Sequence, residues 1–166
     1  LSFEEIKNSF ELNLDNHSLQ NLSYVFSSQL QINQITFLFS QLSSFFEVGF
    51  LLQKNPQLQA IIMDRPEVLK VAKEMAESYG VENRLQFLPG DMFREAIPAA
   101  DVILLSNVLH DWDVPECKTL IQKCAQALKP GGELFIQEVF LNDELDGPLS
   151  ISLYSAALFT LTEGRA

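Results

Sequence analysis

The chain has 166 residues, 47% of them apolar and 20% charged, enough for one domain with its own core. A net charge of −11 argues against a nucleic-acid binder, which needs a basic surface to meet phosphates, and disfavours anionic membranes. Two cysteines, Cys117 and Cys124, are too few for a disulfide framework, and their spacing puts both on one face of a helix as buried thiols.

The start lacks the basic, apolar, small-residue order of a signal peptide, and it opens on Leu1 rather than Met. The Phe-rich stretch 24–52 is broken too often by Gln, Ser and Asn to span a membrane, so a cytoplasmic protein is expected. Residues 1–40 read as a helical segment of unclear origin, with helices over 3–12 and 18–30. From there, 41–166 reads as a partial α/β domain. Residues 43–48 (SSFFEV) predict a short buried strand ending at Gly49, and 50–54 predict the end of a helix closed by Asn55-Pro56.

The run 58–63 (LQAIIM) predicts a second strand, ending in Asp64. Pro66 suits the first turn of a helix whose apolar face carries Val68, Val71, Ala72, Met75 and Ala76, with Gly80 as its cap. Strands follow over 84–88 and 101–106, a helix over 115–128 stopped by Lys129-Pro130-Gly131-Gly132, a fifth strand over 133–140 (ELFIQEVF) and a last helix over 149–162. Strands alternating with helices imply right-handed crossovers and a mostly parallel sheet. Ligands in such sheets bind at the carboxyl ends of the strands, which selects Gly49, Asp64, Asp91, the segment after Ser106 and the residues from Glu138 on.

Several of these residues carry two readings. Asp64 suits a ribose diol, or it caps the Pro66 helix. Asp91 belongs to a ligand site, or to a turn at Pro89-Gly90-Asp91. His110 has the ordinary imidazole pKa of about 6.5 that suits a general base, or it packs in the turn after the fourth strand. Trp112 reads as packing and His17 as a surface residue. Asp143, Glu144 and Asp146 read as a wet loop rather than a metal site. The absence of a G-x-G-x-x-G turn argues against a nicotinamide-dependent oxidoreductase.

The segment Val108-Leu109-His110-Asp111-Trp112-Asp113, followed by Cys117 and then Leu128-Lys129-Pro130-Gly131-Gly132, resembles the S-adenosylmethionine-dependent small-molecule O-methyltransferases of plant caffeate and animal acetylserotonin type. Asp64-Arg65-Pro66-Glu67-Val68, Gly90-Asp91-Met92-Phe93, Gly147-Pro148-Leu149, Leu153-Tyr154-Ser155 and Thr162-Glu163-Gly164 fit the same family in the same order. The resemblance implies a Rossmann-like α/β methyltransferase domain and S-adenosyl-L-methionine as methyl donor. It implies a phenolic, indolic or polyketide-like hydroxyl as acceptor. It assigns His110 as base and Glu138 as its helper. Gly49, Asp64, Gly90, Asp91, Met92 and Asn107 become cofactor contacts, Asp64 at the ribose and Asp91 with Met92 at the adenine. No metal is implied.

The sequence departs from that family in three places. The family's first strand ends in a D/E-x-G-G-G-x-G loop, whereas Glu47-Val48-Gly49 runs straight into Phe50-Leu51-Leu52. A shortened glycine loop is therefore expected, with weakened cofactor affinity. The second family glutamate after Glu163-Gly164 is replaced by Arg165-Ala166. The family's sixth and seventh strands and its N-terminal dimerisation domain have no counterpart here, which leaves 133–140 as an exposed, association-prone edge. The alternative expectation is a catalytically inactive relative that acts as a binding module.

Overall fold

The computed structural model describes residues 33–39, 45–138, 141–144 and 146–162. Five strands run in chain order: β1 (Gln34–Phe39), β2 (Gln59–Asp64), β3 (Leu85–Pro89), β4 (Ala100–Ser106) and β5 (Leu128–Gln137). They form one sheet in the order β3-β2-β1-β4-β5, with every pairing parallel. The helices are α1 (Phe45–Lys54), α2 (Pro66–Tyr79), α3 (Val114–Ala127) and α4 (Leu149–Leu161). The α/β reading and the parallel sheet therefore stand.

Parallel strands joined by helices bury both faces of the sheet, and their side chains divide accordingly. Ile35, Phe37, Ile62, Val102 and Leu104 pack against α1 and α2. Leu38, Met63, Ile103 and Leu105 pack on the other face against Leu120 and Cys124 of α3. Side chains such as Phe37, Ile62 and Leu104, all fully buried, each contribute roughly 1.5–3 kcal/mol by leaving water.

The first strand corrects the sequence reading. Residues 43–48 are not a strand: α1 begins at Phe45, and the strand is the earlier run QITFLF. Both segments are short and apolar. The helix is hard to recognise because Phe45, Phe46, Glu47, Val48, Gly49, Leu51 and Leu52 are all buried. A helix buried nearly all round shows no polar face and therefore no clear period of 3.6. The correction also moves the expected boundary at 40/41, since β1 is the central strand of the sheet. The helices expected over 3–12 and 18–30 lie outside the described residues.

Elsewhere the local signals act as expected, with shifts of detail. Gly80 closes α2 in the left-handed conformation (φ 65°), and its amide donates to the Ala76 and Glu77 carbonyls. The buried face of α2 is Leu69, Ala72, Met75 and Ala76, while Val71 is 37% exposed. Asp113 caps α3 through the Val114 amide. Lys129-Pro130-Gly131-Gly132 is not a loop after the helix but the irregular first part of β5, where the register slips between Ala100 and Val102. A Cβ on Gly132 would lie 2.8 Å from the Asp101 carbonyl oxygen, so only glycine lets these strands close.

At the amino end of the sheet Asp101 accepts the Gln34 amide (2.9 Å), the Asn33 amide (3.2 Å) and Lys129 Nζ (2.9 Å), tying β1, β4 and β5 together. Among the described residues β5 has a neighbour on one side only, and Ile136 on it is 41% exposed. No described helix is long and apolar enough to cross a membrane.

Candidate active site

Parallel strands all point their carboxyl ends to one edge, and that edge gathers most of the candidate residues. Asp64 ends β2, Gly90, Asp91 and Met92 follow β3, Ser106 and Asn107 end β4, and Glu138 follows β5. Met63, Asp64, Arg65, Gly90, Asp91, Met92, Phe93, Asp111 and Trp112 line a cavity of about 260 Å³. Four of the residues read from the sequence as cofactor contacts thus line one pocket.

Asp64 is not the cap of α2: Arg65 holds that position without a side-chain bond, and Asp64 Oδ1 accepts the Arg65 amide at 2.7 Å. Its second oxygen, Oδ2, is buried with no hydrogen-bond partner, as is Trp112 Nε1. Burial pushes the Asp64 pKa above the ordinary carboxyl value, and the Arg65 amide and charge only partly offset this. A buried acceptor and a buried donor left unpaired at one cavity fit a polar ligand that supplies the missing partners. Asp91 Oδ1 accepts the Phe93 amide at 2.8 Å and turns the chain so that Met92 lines the pocket. A Cβ on Gly90 would overlap Glu95 Oε2 and lie 2.8 Å from Met63 Cε, so a side chain there would push the ends of both side chains aside.

The second cluster lies over β4 and β5. Glu138 Oε1 accepts the Val108 and Leu109 amides, both at 2.7 Å, and Oε2 meets His110 Nδ1 at 2.6 Å. These bonds hold His110 in a single helical turn over Leu109–Asp111. The His110 and Glu138 side chains are each only 2% exposed. Burial alone would lower the His110 pKa, but the hydrogen bond and charge of Glu138, joined by the charge of Asp111, outweigh it, so the net shift is upward. On the other side of the ring, Nε2 meets Tyr154 Oη at 3.3 Å and lies 3.7 Å from Asp111 Oδ1.

Two expected residues fall elsewhere. Gly49 is not a strand-end glycine. It lies within α1, where a Cβ would stand 2.9 Å from the Tyr79 ring, so it serves the packing of α1 on α2. Its reading as a cofactor contact is withdrawn. Asn107 does sit at the end of β4, in the left-handed conformation (φ 53°) that asparagine tolerates, but it does not line the Asp64 cavity. The stretch that joins β1 to α1, residues 40–44, is Ser-Gln-Leu-Ser-Ser. It contains no glycine, and it lies outside the described residues.

Sequence reasoning missed two residues. Tyr154 was read as part of a helix and of a family segment but given no role at the site, and its approach to His110 depends on a fold that brings positions 44 apart together. Glu47 was placed in a strand. It is 3% exposed, with Oε2 accepting from Ser106 Oγ (2.9 Å) and Oε1 from Gln137 Nε2 (2.8 Å). Burial pushes its pKa up to about 7, against the lowering effect of those two bonds. The lone charge in the apolar run SSFFEVGFLL was the signal for it. Of the two thiols, Cys124 is buried, with its pKa pushed up by burial to about 12, whereas Cys117 is half-buried and its Sγ points at the Leu109 carbonyl (3.3 Å).

A parallel sheet with an acid after β2, Gly-Asp-Met after β3 and a histidine–glutamate pair after β4 and β5 defines a Rossmann-like methyltransferase domain. The chain belongs to the O-methyltransferase domain family, whose profile matches residues 8–166. Acetylserotonin O-methyltransferase of Gallus gallus is 38% identical over 110 residues, which are 66% of this chain and 32% of that protein. An O-methyltransferase family 2 protein from Planctomyces limnophilus, crystallised in complex with apigenin, superposes with a TM-score of 0.77 at 42% identity. The match covers 92% of this chain and 52% of that one. Human N-acetylserotonin methyltransferase in complex with SAM gives a TM-score of 0.70 at 27% identity, over 89% of this chain and 44% of that one. The family uses S-adenosylmethionine and acts on small molecules. The chain thus matches between about a third and a half of the length of these relatives.

Proposed function

We propose that this chain carries the methyl-transfer site of an S-adenosylmethionine-dependent O-methyltransferase, with a small phenolic, indolic or polyketide-like hydroxyl compound as acceptor. The observation that carries it is the His110–Glu138 pair. Glu138 is acceptor-only as a carboxylate, so the proton on Nδ1 points at it and Nε2 is left as the basic atom. A base fixed in this way takes the hydroxyl proton as the oxygen is methylated, a contribution of roughly 100- to 10,000-fold in rate.

S-adenosylmethionine, when bound, supplies an electrophilic methyl group on a sulfonium. This chain's residues bind and orient it: Asp64 Oδ2 accepts from the ribose hydroxyls, and Asp91, Met92 and Gly90 form the adenine end. Asn107, at the end of β4, is assigned as a further cofactor contact outside the Asp64 cavity. Asp111 and Trp112 line the same cavity as Met92 and belong to, or close, the turn that carries His110, so donor and base face a common space.

Calorimetric titration of S-adenosylmethionine into the purified chain tests the reading. Binding that weakens about 10- to 100-fold in Asp64→Ala supports it. A folded chain that gives no heat of binding sinks it. His110→Ala should bind cofactor as the parent does and transfer no methyl group to any acceptor. A second reading, a methyltransferase-like binding module without turnover, is favoured by the glycine-free stretch 40–44. Cofactor or acceptor binding with no product from either chain would select it.

A further inference from the structure

We propose that Tyr154 is an internal stand-in for the acceptor: its phenol occupies the hydroxyl position at His110 Nε2, and an aromatic hydroxyl compound reaches the base by displacing it. The inference rests on the reading of His110 as the base.

The geometry makes the tyrosine and an acceptor alternatives. With Nδ1 committed to Glu138, Nε2 has one in-plane lone pair to offer. Tyr154 Oη stands 3.3 Å from it, with the two rings edge to face at 5.6 Å between centroids. The His110 side chain is 2% exposed, so no outside hydroxyl can meet Nε2 while Tyr154 stays in place. A base closed off in this way serves a small molecule only if something moves.

The element that carries the plug is suited to moving. Tyr154 sits midway along α4, whose Leu149 and Leu153 are 72% and 63% exposed. Among the described residues of α4, Leu158 is the one that is buried. The 3.3 Å contact is also longer than a well-formed O–H···N bond, so losing it costs little. What replaces it should match it: a hydroxyl on a flat ring, with the ring edge against the imidazole. This narrows the acceptor class to aryl hydroxyls rather than aliphatic alcohols.

The test uses phenol as probe, with cyclohexanol as the aliphatic control and no cofactor present. Binding is followed by the nitrogen-15 NMR signal of His110 Nε2 in the whole chain. Tyr154→Phe keeps the ring and removes the hydroxyl, and should bind phenol about two- to tenfold more tightly, the size of one neutral hydrogen bond. Tyr154→Ala opens the space and should bind phenol more tightly still, with the Nε2 signal returning to its wild-type position. Cyclohexanol should restore it in neither. Phenol affinity that is unchanged or weaker in both variants, or binding that leaves the Nε2 signal unmoved, overturns the proposal. Because cofactor is absent, failure here is distinct from failure of the cofactor titration, which bears on the O-methyltransferase reading itself.

Discussion

Asp64 closes β2 and Glu138 follows β5, two carboxylates at the same edge of one sheet, and their surroundings differ. Glu138 is saturated: two backbone amides and an imidazole bind its two oxygens. Asp64 holds one amide and leaves a buried oxygen without a partner. A saturated carboxylate builds the protein, because it holds a turn and a ring in place. An unsaturated one costs stability and is retained where a ligand completes it. One half of the edge is therefore assembled in advance, and the other awaits a ligand.

The comparison predicts its largest effect at Glu138. Glu138→Ala leaves two amides and an imidazole unpaired in a buried place, and should lose about 3–5 kcal/mol in urea unfolding. Glu138→Gln keeps an acceptor for the two amides and should lose roughly half of that. If alanine costs under about 1 kcal/mol, the turn over Leu109–Asp111 is not held by Glu138 and the contrast with Asp64 fails.

Glu47 gives the next effect. Its folded pKa is about 7 against an ordinary 4.5. The folded state therefore holds the proton more tightly, so the contribution of Glu47 to stability is fully present below about pH 4.5 and is lost as pH rises through 7. His110, with its pKa also raised, adds a loss in the same direction as pH passes its ordinary value of about 6.5. Glu47→Gln should gain about 2–3 kcal/mol at pH 8 and abolish the part of the decline that begins below pH 6. Gln137 Oε1, buried and unpartnered, can accept from the new amide. A variant whose pH profile matches the parent's would show that Glu47 is ionised and well solvated.

Asp64 should behave in the opposite sense to Glu138. Asp64→Asn keeps the Oδ1 contact with the Arg65 amide and should alter stability by less than about 1 kcal/mol. Its effect should appear on ligand titration, as a loss of about tenfold in S-adenosylmethionine affinity. A large loss of stability with unchanged affinity would make Asp64 structural after all.

The parts of this molecule that were legible in the sequence are those written in local signals. Pro66 and Gly80 bracket α2, DVILLS reads as a buried strand, and the acid after LQAIIM falls at a strand end whatever its role. The pairing of His110 with Glu138 came from the family resemblance, and the structure supplies its 2.6 Å contact. What was not legible depends on distance or on all-round burial. Tyr154 meets His110 only through the fold. α1 has lost the polar face by which a helix is read, so its Glu47-Val48-Gly49 looked like the end of a strand. That error carried a functional consequence, since it took a packing glycine for the remnant of a cofactor loop.

Gly49→Ala separates those two meanings with the smallest effect of the set. A Cβ at Gly49 would lie 2.9 Å from Tyr79 Cγ, so the ring must shift, which costs about 1–3 kcal/mol in a packed core. Alanine in a helix interior returns about 1 kcal/mol relative to glycine. Phe46 stacks edge-on against the same ring at 6.3 Å, and Gln53 Nε2 bonds the Tyr79 carbonyl, so the ring has limited room but lies at the end of α2. The net loss should be about 0.5–1.5 kcal/mol by urea unfolding. S-adenosylmethionine affinity should stay within about twofold, because neither Gly49 nor Tyr79 lines the cavity that Asp64 and Met92 line. A loss of affinity without a loss of stability would return Gly49 to the cofactor and place the loop's function in α1 rather than in residues 40–44.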